Sequence, residues 1–436
     1  MSKKVLIITY YWPPSGGSGV QRWLKFVKYL REFGWEPVVY TPLNPESPVN
    51  DNSLEKDIPS GITILKTEIK EPYNLYKKFI GRKKDEKISA AFLTEKKKPK
   101  LAERIAVWVR GNFFIPDARK WWVKLSIEFL SDYLSKNKID TIVSTGPPHS
   151  MHLIALGLKK KLKIKWLADF RDPWTQIDFY EDLKLSARAD RKHHALEKEV
   201  LKNADVVVSV GKTMSEEFIK LLAEKNAESK FHVITNGYDE EDVYKGGITM
   251  DKKFSIAHIG TMVKTRNPET LWKVLGKLTS EKNDFAQDLE IKLVGKVDIA
   301  VIDSLKETRL EKYLNKIDYL PHGEIVKLQQ QTQLLLLVLN NTKNAKGILT
   351  GKFFEYLSAN RPVICIGPTD GDASAIVSET KCGKCLSYDD FETTYKTVLE
   401  YYELFKSGNL RGKSTGSGKY SRKNLTKEIA EVLDKL

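Results

Sequence analysis

The feature that most constrains this chain is a strand-then-helix alternation that runs through it and restarts midway. Residues 5–8 form a short β-branched run, followed by a glycine-rich loop and a helical pattern. That pattern sets Val20, Trp23, Leu24, Val27 and Leu30 on one face and stops at Gly34. Residues 37–41, 141–145, 165–170 and 205–210 read as further buried strands, each trailed by helical spacing. A polar, aperiodic stretch at 239–253 interrupts the pattern. Strands at 255–259, 290–294, 317–320, 334–339 and 362–366 then resume it, again separated by helices. Such alternation is the pattern of parallel, doubly wound sheets covered by helices on both faces. The 436 residues exceed one domain of about 100–200, so two are expected, at 1–245 and 252–410. A last helix at 420–436 carries Leu425, Ile429, Val432, Leu433 and Leu436 on one face and is expected to dock back on the first domain.

The longest apolar run, 334–339, is far below the about 20 residues of a spanning helix. The basic start Met1-Ser2-Lys3-Lys4 precedes too short an apolar segment for a signal peptide, so a soluble, cytoplasmic protein is expected. Cys382 and Cys385 form a lone C-x-x-C without a second pair, and read as small core residues near a strand rather than metal ligands. The net charge of +15 favours anionic partners. No nucleic-acid reader motif is present, which argues against that class. The charge concentrates in a basic excursion of the first domain, about 70–125. There Lys77, Lys78, Lys83, Lys84, Lys97 and Lys98 precede Trp108, Phe113, Phe114, Trp121 and Trp122. By charge alone this segment suits an anionic membrane surface or phosphorylated substrates, without choosing between them. Trp121 and Trp122, leading into Val123, Leu125 and Phe129 at helical spacing, are expected to pack as core.

In doubly wound sheets, ligands bind at the carboxyl ends of the strands, so chemistry belongs in strand-to-helix loops. The first such loop holds Gly16, Gly17 and Gly19, where backbone can approach a ligand and a helix start offers N–H groups to an anion. It lacks the dinucleotide spacing, and no acidic residue closes the second strand, which excludes a nicotinamide enzyme. Gly347 to Lys352 resembles a triphosphate loop but is one residue short, with Phe353 where Ser or Thr is needed. What remains is a helix start at which Thr350 can cap, Gly351 and Lys352 can meet a phosphate, and Glu355 follows near the same face. Asp169, Arg171 and Asp172 end a first-domain strand, and His149 lies in the preceding strand-to-helix loop. Gly260 and Thr261 end the first strand of the second domain, with Lys264 and Arg266 in its loop. Asp370-Gly371-Asp372 is a D-x-D that reads as turn and helix start rather than metal site.

Taken in order, the glycine loop, the Asn236-Gly237-Tyr238-Asp239 turn, Gly260 with Arg266-Asn267, and Thr350 through Leu357 resemble glycosyltransferase family 4. The resemblance implies the GT-B fold, two Rossmann-like domains facing a central cleft, with the acceptor on the first and a nucleotide sugar on the second. It implies retaining transfer to a hydroxyl acceptor, in cell-surface polysaccharide or glycolipid synthesis, with no cofactor and no metal. Lipid-linked acceptors would bring the enzyme to the inner membrane face. The implied donor residues are Gly17, Gly19, Gly260, Thr261, Arg266, Thr350, Gly351, Lys352 and Glu355, the last holding ribose. The acceptor side would be lined by Asp172, Arg171, Asp169 and His149. The family's first glutamate falls at Gly347 and one of its two basic residues at Thr261, so Lys352 would supply the missing charge. A non-hydrolysing nucleotide-sugar epimerase and a degenerate, non-catalytic binding protein are the alternatives.

Overall fold

The computed structural model describes residues 3–47, 50–71, 101–318 and 320–436. The basic run 77–98 lies outside them. The chain divides into two compact units, Met1–Thr235 with Arg422–Leu436, and Asn236–Ser421.

The first unit runs β1 (Lys3–Ile8), α1 (Ser18–Leu30), β2 (Trp35–Pro42), β3 (Thr63–Thr67), α2 (Leu101–Phe113), α3 (Lys120–Asn137), β4 (Thr141–Gly146) and α4 (Ser150–Leu162). It continues through β5 (Lys165–Phe170), α5 (Ala187–Asn203), β6 (Val206–Ser209), α6 (Lys212–Leu222) and β7 (Phe231–Val233). All strands are parallel, in the order β3-β2-β1-β4-β5-β6-β7. Val5, Leu6, Ile7 and Ile8 are fully buried because helices cover both faces of the central strands, which explains their unbroken apolar run. The expected face of α1 is buried, and Gly34 ends its last turn at φ 82, a conformation glycine adopts without Cβ strain.

The second unit runs β8 (Phe254–Ile259), α7 (Glu269–Glu281), α8 (Asn283–Asp288), β9 (Leu289–Val294), α9 (Ile299–Glu307), β10 (Leu314–Ile317), α10 (His322–Gln331) and β11 (Leu334–Val338). Then come α11 (Gly351–Ala359), β12 (Val363–Ile366), α12 (Asp372–Thr380), β13 (Gly383–Leu386) and α13 (Phe391–Lys406). Its strands are also parallel, ordered β10-β9-β8-β11-β12-β13. In each unit the strand order reverses beside the first strand, between β1 and β4 and between β8 and β11. That is where a doubly wound sheet opens for a ligand.

The last helix, α14 (Arg422–Asp434), belongs to the first unit. Leu425, Ile429, Val432 and Leu433 pack with Val20, Trp23 and Val27 of α1 in one apolar cluster. Two expectations need correction. The strand expected at 317–320 is β10, ending at Ile317; its Asn315 and Lys316 are exposed at the sheet edge, so no apolar run marks it. Trp121 and Leu125 are exposed rather than core, whereas Trp122 is fully buried and stacks on Tyr40 at 4.9 Å, and the partly exposed Phe129 also stacks on Tyr40, at 5.8 Å.

Candidate functional site

In the second unit the pieces converge at the carboxyl end of β8. The strand stops at Gly260, whose φ of +116 lies where L side chains are strained. A Cβ there would stand 2.0 Å from the Lys352 ammonium nitrogen and 2.4 Å from its Cε. Glycine therefore does two things: it turns the strand end and leaves room for Lys352 to lie across it. Lys352 comes from the second position of α11, which the sheet brings beside β8 through β11. Tyr356, one turn further on, accepts a hydrogen bond from the Ile259 N–H at 3.0 Å and locks the helix to the strand end.

Burial, reinforced by the Arg266 charge and opposed by Glu355, pushes the Lys352 ammonium down to about 8. Arg266 is held by Asn340, which follows β11: its Nε donates to Asn340 Oδ1 at 2.5 Å, and its Nη1 to the Thr261 carbonyl at 3.3 Å. The Tyr388 hydroxyl fixes the Asn340 carbonyl at 3.0 Å. Thr261 itself is exposed. Beneath the pair, buried His258 sits with Nδ1 3.1 Å from the Leu336 carbonyl; burial and the Lys352 charge push it down to about 3, so it is neutral. Glu355 is half-buried, and Gln329 Nε2 donates to it at 3.4 Å.

Thr350 occupies the N-cap position of α11 in extended backbone, but its side chain makes no capping bond, contrary to expectation. Its hydroxyl is buried without a hydrogen-bond partner. With Gly351 unhindered above it, the helix start leaves N–H groups and one hydroxyl for a ligand. Gly347 closes a short turn, Ala345–Gly347, ahead of this helix. Asp372 opens α12 and Asp370 pairs with Lys346, in keeping with a turn. Cys365 and Cys385 are register partners on β12 and β13, and Cys382 is buried.

In the first unit the glycine loop, the end of β5 and the 144–150 loop also meet. Asp169 is fully buried and accepts from the Arg22 guanidinium at 2.8 Å, Trp23 Nε1 at 2.7 Å and the Thr145 hydroxyl at 2.8 Å. Burial opposes its charge, but Arg22 and these donors hold its carboxyl below the ordinary range. So saturated a group has no face left for an acceptor. Asp169 is a structural counter-ion tying α1 to β5, which corrects its expected place in the lining. Arg22 also donates to the carbonyls of Ile234 and Thr235, at 2.8 and 2.6 Å.

Arg171 donates to the Gly19 carbonyl at 2.9 Å and to the Pro147 carbonyl, joining both loops. A Cβ on Gly19 would stand 2.9 Å from Arg171 Nη1 and 3.1 Å from Tyr11. The room that glycine leaves here is thus taken by the protein's own side chains. Gly17, exposed at the start of α1 with φ 92, meets no such crowding and is required for conformation. His149 is buried, stacked flat on Trp174 at 4.6 Å, and burial keeps it neutral; its Nδ1 lacks a hydrogen-bond partner. Asp172, two residues before Trp174, is exposed. Its loop is pinned from α5 by Glu197, which accepts from the Trp174 and Thr175 N–H groups at 3.3 Å and from the Thr175 hydroxyl at 2.5 Å. Sequence reasoning missed Arg22, Glu197, His258, Asn340 and Tyr356. Tyr356 lies inside the stretch 350–357 and His258 beside Gly260, but sequence reasoning gave neither a role, and the other three carry no motif.

Residues 85–242 match the model of a family described as Glycosyltransferase Family 4. No curated protein matches the sequence. Among solved structures, the chain is similar to sucrose-phosphate synthase from Thermosynechococcus elongatus at 12% identity and a TM-score of 0.60, covering 99% of this chain and 98% of that one. It is similar to Anabaena HepE in complex with UDP at 11% identity and a TM-score of 0.59, with 100% of each chain covered. A candidate UDP-N-acetylglucosamine 2-epimerase from Listeria monocytogenes gives 12% identity and a TM-score of 0.55, covering 100% of this chain and 96% of that one. The protein therefore has the GT-B fold of glycosyltransferases, and its residues 85–242 carry the sequence pattern of glycosyltransferase family 4.

Proposed function

We propose that the protein transfers a sugar from a nucleotide diphosphate donor to a hydroxyl acceptor, with retention of anomeric configuration and without a metal ion. The observation that carries this reading is Lys352 laid across Gly260, with Arg266 and an uncapped helix start in the same unit. A leaving diphosphate needs fixed positive charge and N–H donors, and this set would supply both. The Thr350 hydroxyl would donate to a phosphate oxygen, and Glu355 would accept from ribose hydroxyls. The exposed Asp172, on a loop braced by Arg171 and Glu197, would orient the acceptor hydroxyl, with His149 stacked on Trp174 of the same loop. The family match and the likeness to HepE, solved with UDP, support a nucleotide-sugar donor.

No helix among the described residues is long and apolar enough to cross a membrane. The lysine-rich sequence at 77–98 favours a cytoplasmic enzyme that works at an anionic membrane surface on a sugar or lipid-linked acceptor, in polysaccharide or glycolipid synthesis. The likeness to the Listeria epimerase supports a second reading, in which the same clamp serves epimerisation. The test begins with thermal shift against UDP-, GDP- and ADP-sugars, followed by turnover of the best donor with a hydroxyl acceptor in EDTA. An α-donor should give an α-linked product by NMR. A β-linked product refutes retention, and loss of turnover in EDTA refutes metal independence. A 2-epimer released without acceptor establishes the second reading.

A further inference from the structure

The chain holds three cysteines, and all three pack in one apolar cluster of the second unit. In sequence the pair is Cys382 and Cys385, as a C-x-x-C. The sheet makes a different pair. Cys365 on β12 and Cys385 on β13 are register partners in a parallel ladder. Neighbouring strands run about 4.7–4.9 Å apart, within the range of about 4.4–6.8 Å between Cα atoms that a disulfide spans. Cys382 precedes β13 and stands three residues ahead of Cys385. At about 3.3 Å of rise per residue that is about 10 Å, beyond the limit of about 7 Å for a bridge. Val363 faces Gly383, so Cys382 is offset from Cys365 by the same three positions.

The two ladder thiols differ in access and in acidity. Cys365 is fully buried and hydrogen-bonded to Cys385; that bond, with burial, raises its thiol well above the ordinary range. Cys385 is half-buried on the edge strand. The hydrogen bond from Cys365 lowers its thiol, burial opposes this, and the Ser374 hydroxyl of α12 adds to the lowering. A lowered, reachable thiol beside a second thiol is the arrangement of a reactive and a resolving cysteine. Cys385 Sγ also donates to the Pro368 carbonyl, after β12, at 3.6 Å. Tyr388, three residues past Cys385, reaches across the end of β12 to the Leu339 and Asn340 carbonyls after β11, at 3.4 and 3.0 Å. Burial and the nearby thiols push its hydroxyl up to about 12. Asn340 in turn holds Arg266.

We propose that Cys365 and Cys385 are a redox pair that a small-molecule disulfide closes to a bridge across β12 and β13, and that closure loosens the hold of Tyr388 on the donor clamp. The Cys385 thiolate attacks one sulfur of the small disulfide, and the first small thiolate leaves with the electron pair of the broken S–S bond. Cys365 then gives up its proton and attacks Cys385 Sγ, and the second small thiolate leaves. Two protein thiols lose two electrons and two protons, and the small disulfide becomes two thiols. Closure removes both S–H groups, including the one donated to Pro368, and draws the sulfurs to about 2.05 Å just ahead of Tyr388. The pair stands without the donor reading; its effect on the clamp rests on that reading.

The experiment takes the reduced full chain through a titration with oxidised glutathione, then alkylation, digestion and mass spectrometry. Wild type should lose two hydrogens in mass without dimerising. It should yield one linked peptide pair carrying Cys365 and Cys385, which dithiothreitol reopens. C382S should close the same bridge, and C365S should stop with glutathione on Cys385. A bridge that uses Cys382, or wild type with three free thiols at saturating oxidised glutathione, overturns the pair. Reduced and bridged wild type are then compared by calorimetry with a nucleoside diphosphate. The bridged form should bind roughly two- to tenfold more weakly, the scale of one hydrogen bond, and C365S/C385S given the same oxidant should not change. Equal affinity of the two forms overturns the effect on the clamp. A reduced protein that binds no nucleoside diphosphate refutes the donor reading and with it that effect, while the mapped bridge alone decides the cysteine pair.

Discussion

Gly260→Ala separates the donor clamp from the scaffold that carries it. At φ +116 an alanine is strained by about 1–3 kcal/mol, which should appear as lost stability to urea. The steric conflict adds little to that figure, because the atoms 2.0 and 2.4 Å from the new Cβ are the far end of a flexible lysine that can swing aside. That swing is the functional consequence: it takes the ammonium off the strand end. Losing one charged hydrogen bond to a phosphate costs about 1.5–3 kcal/mol, or roughly ten- to hundred-fold in Kd. Calorimetry should compare a nucleoside diphosphate, chosen by thermal shift, with its nucleoside. The diphosphate should weaken by that factor and the nucleoside should not. Lys352→Ala should give a similar loss, and the double variant little more than either, because both remove one contact. A folded Gly260→Ala protein with undiminished diphosphate affinity, or two losses that add, would refute the clamp.

Four further outcomes are expected. With Lys352 near 8 in the fold and about 10.4 unfolded, the folded state holds fewer protons across that window, so stability without ligand should rise with pH from about 8 to about 10.4, and a Lys352→Met variant should lack the rise. Because a diphosphate favours the charged form, its affinity should fall as pH climbs past about 8, by at most about tenfold per pH unit, and titration calorimetry across pH should show a flat profile for the same variant. Asp169→Asn strands the buried Arg22 charge and should cost about 3–5 kcal/mol in urea unfolding; a small cost with lost turnover would return Asp169 to the acceptor side. Trp122→Ala should cost about 3–5 kcal/mol and Trp121→Ser within about 0.5, and equal costs would contradict their opposite burial.

The central strands were legible because burial on both faces demands continuous apolar sequence, as in residues 5–8 and at β5, Lys165–Phe170. The closing helix was legible for the same kind of reason, since its period of 3.6 has to meet an apolar neighbour. Edge strands escaped or slipped: β3, β7 and β13 were missed and β10 was placed three residues late, because each keeps side chains partly in water and so carries no unbroken apolar run. Among the loops, sequence alone singled out the glycines, Lys352, Arg266 and the Asp169–Asp172 group as residues costly to place without a reason. It could not say which partners they meet. Gly260 and Lys352 touch only because the parallel order puts β11 beside β8 and so sets the start of α11 over the first strand's end. The same applies to Asp169, whose charge looked available until the fold set Arg22 and Trp23 against it. Periodicity along a chain determines which face is buried, because that depends on neighbours a few residues away. Pairing between distant strand ends depends on the topology of the sheet, and only the folded structure decided it.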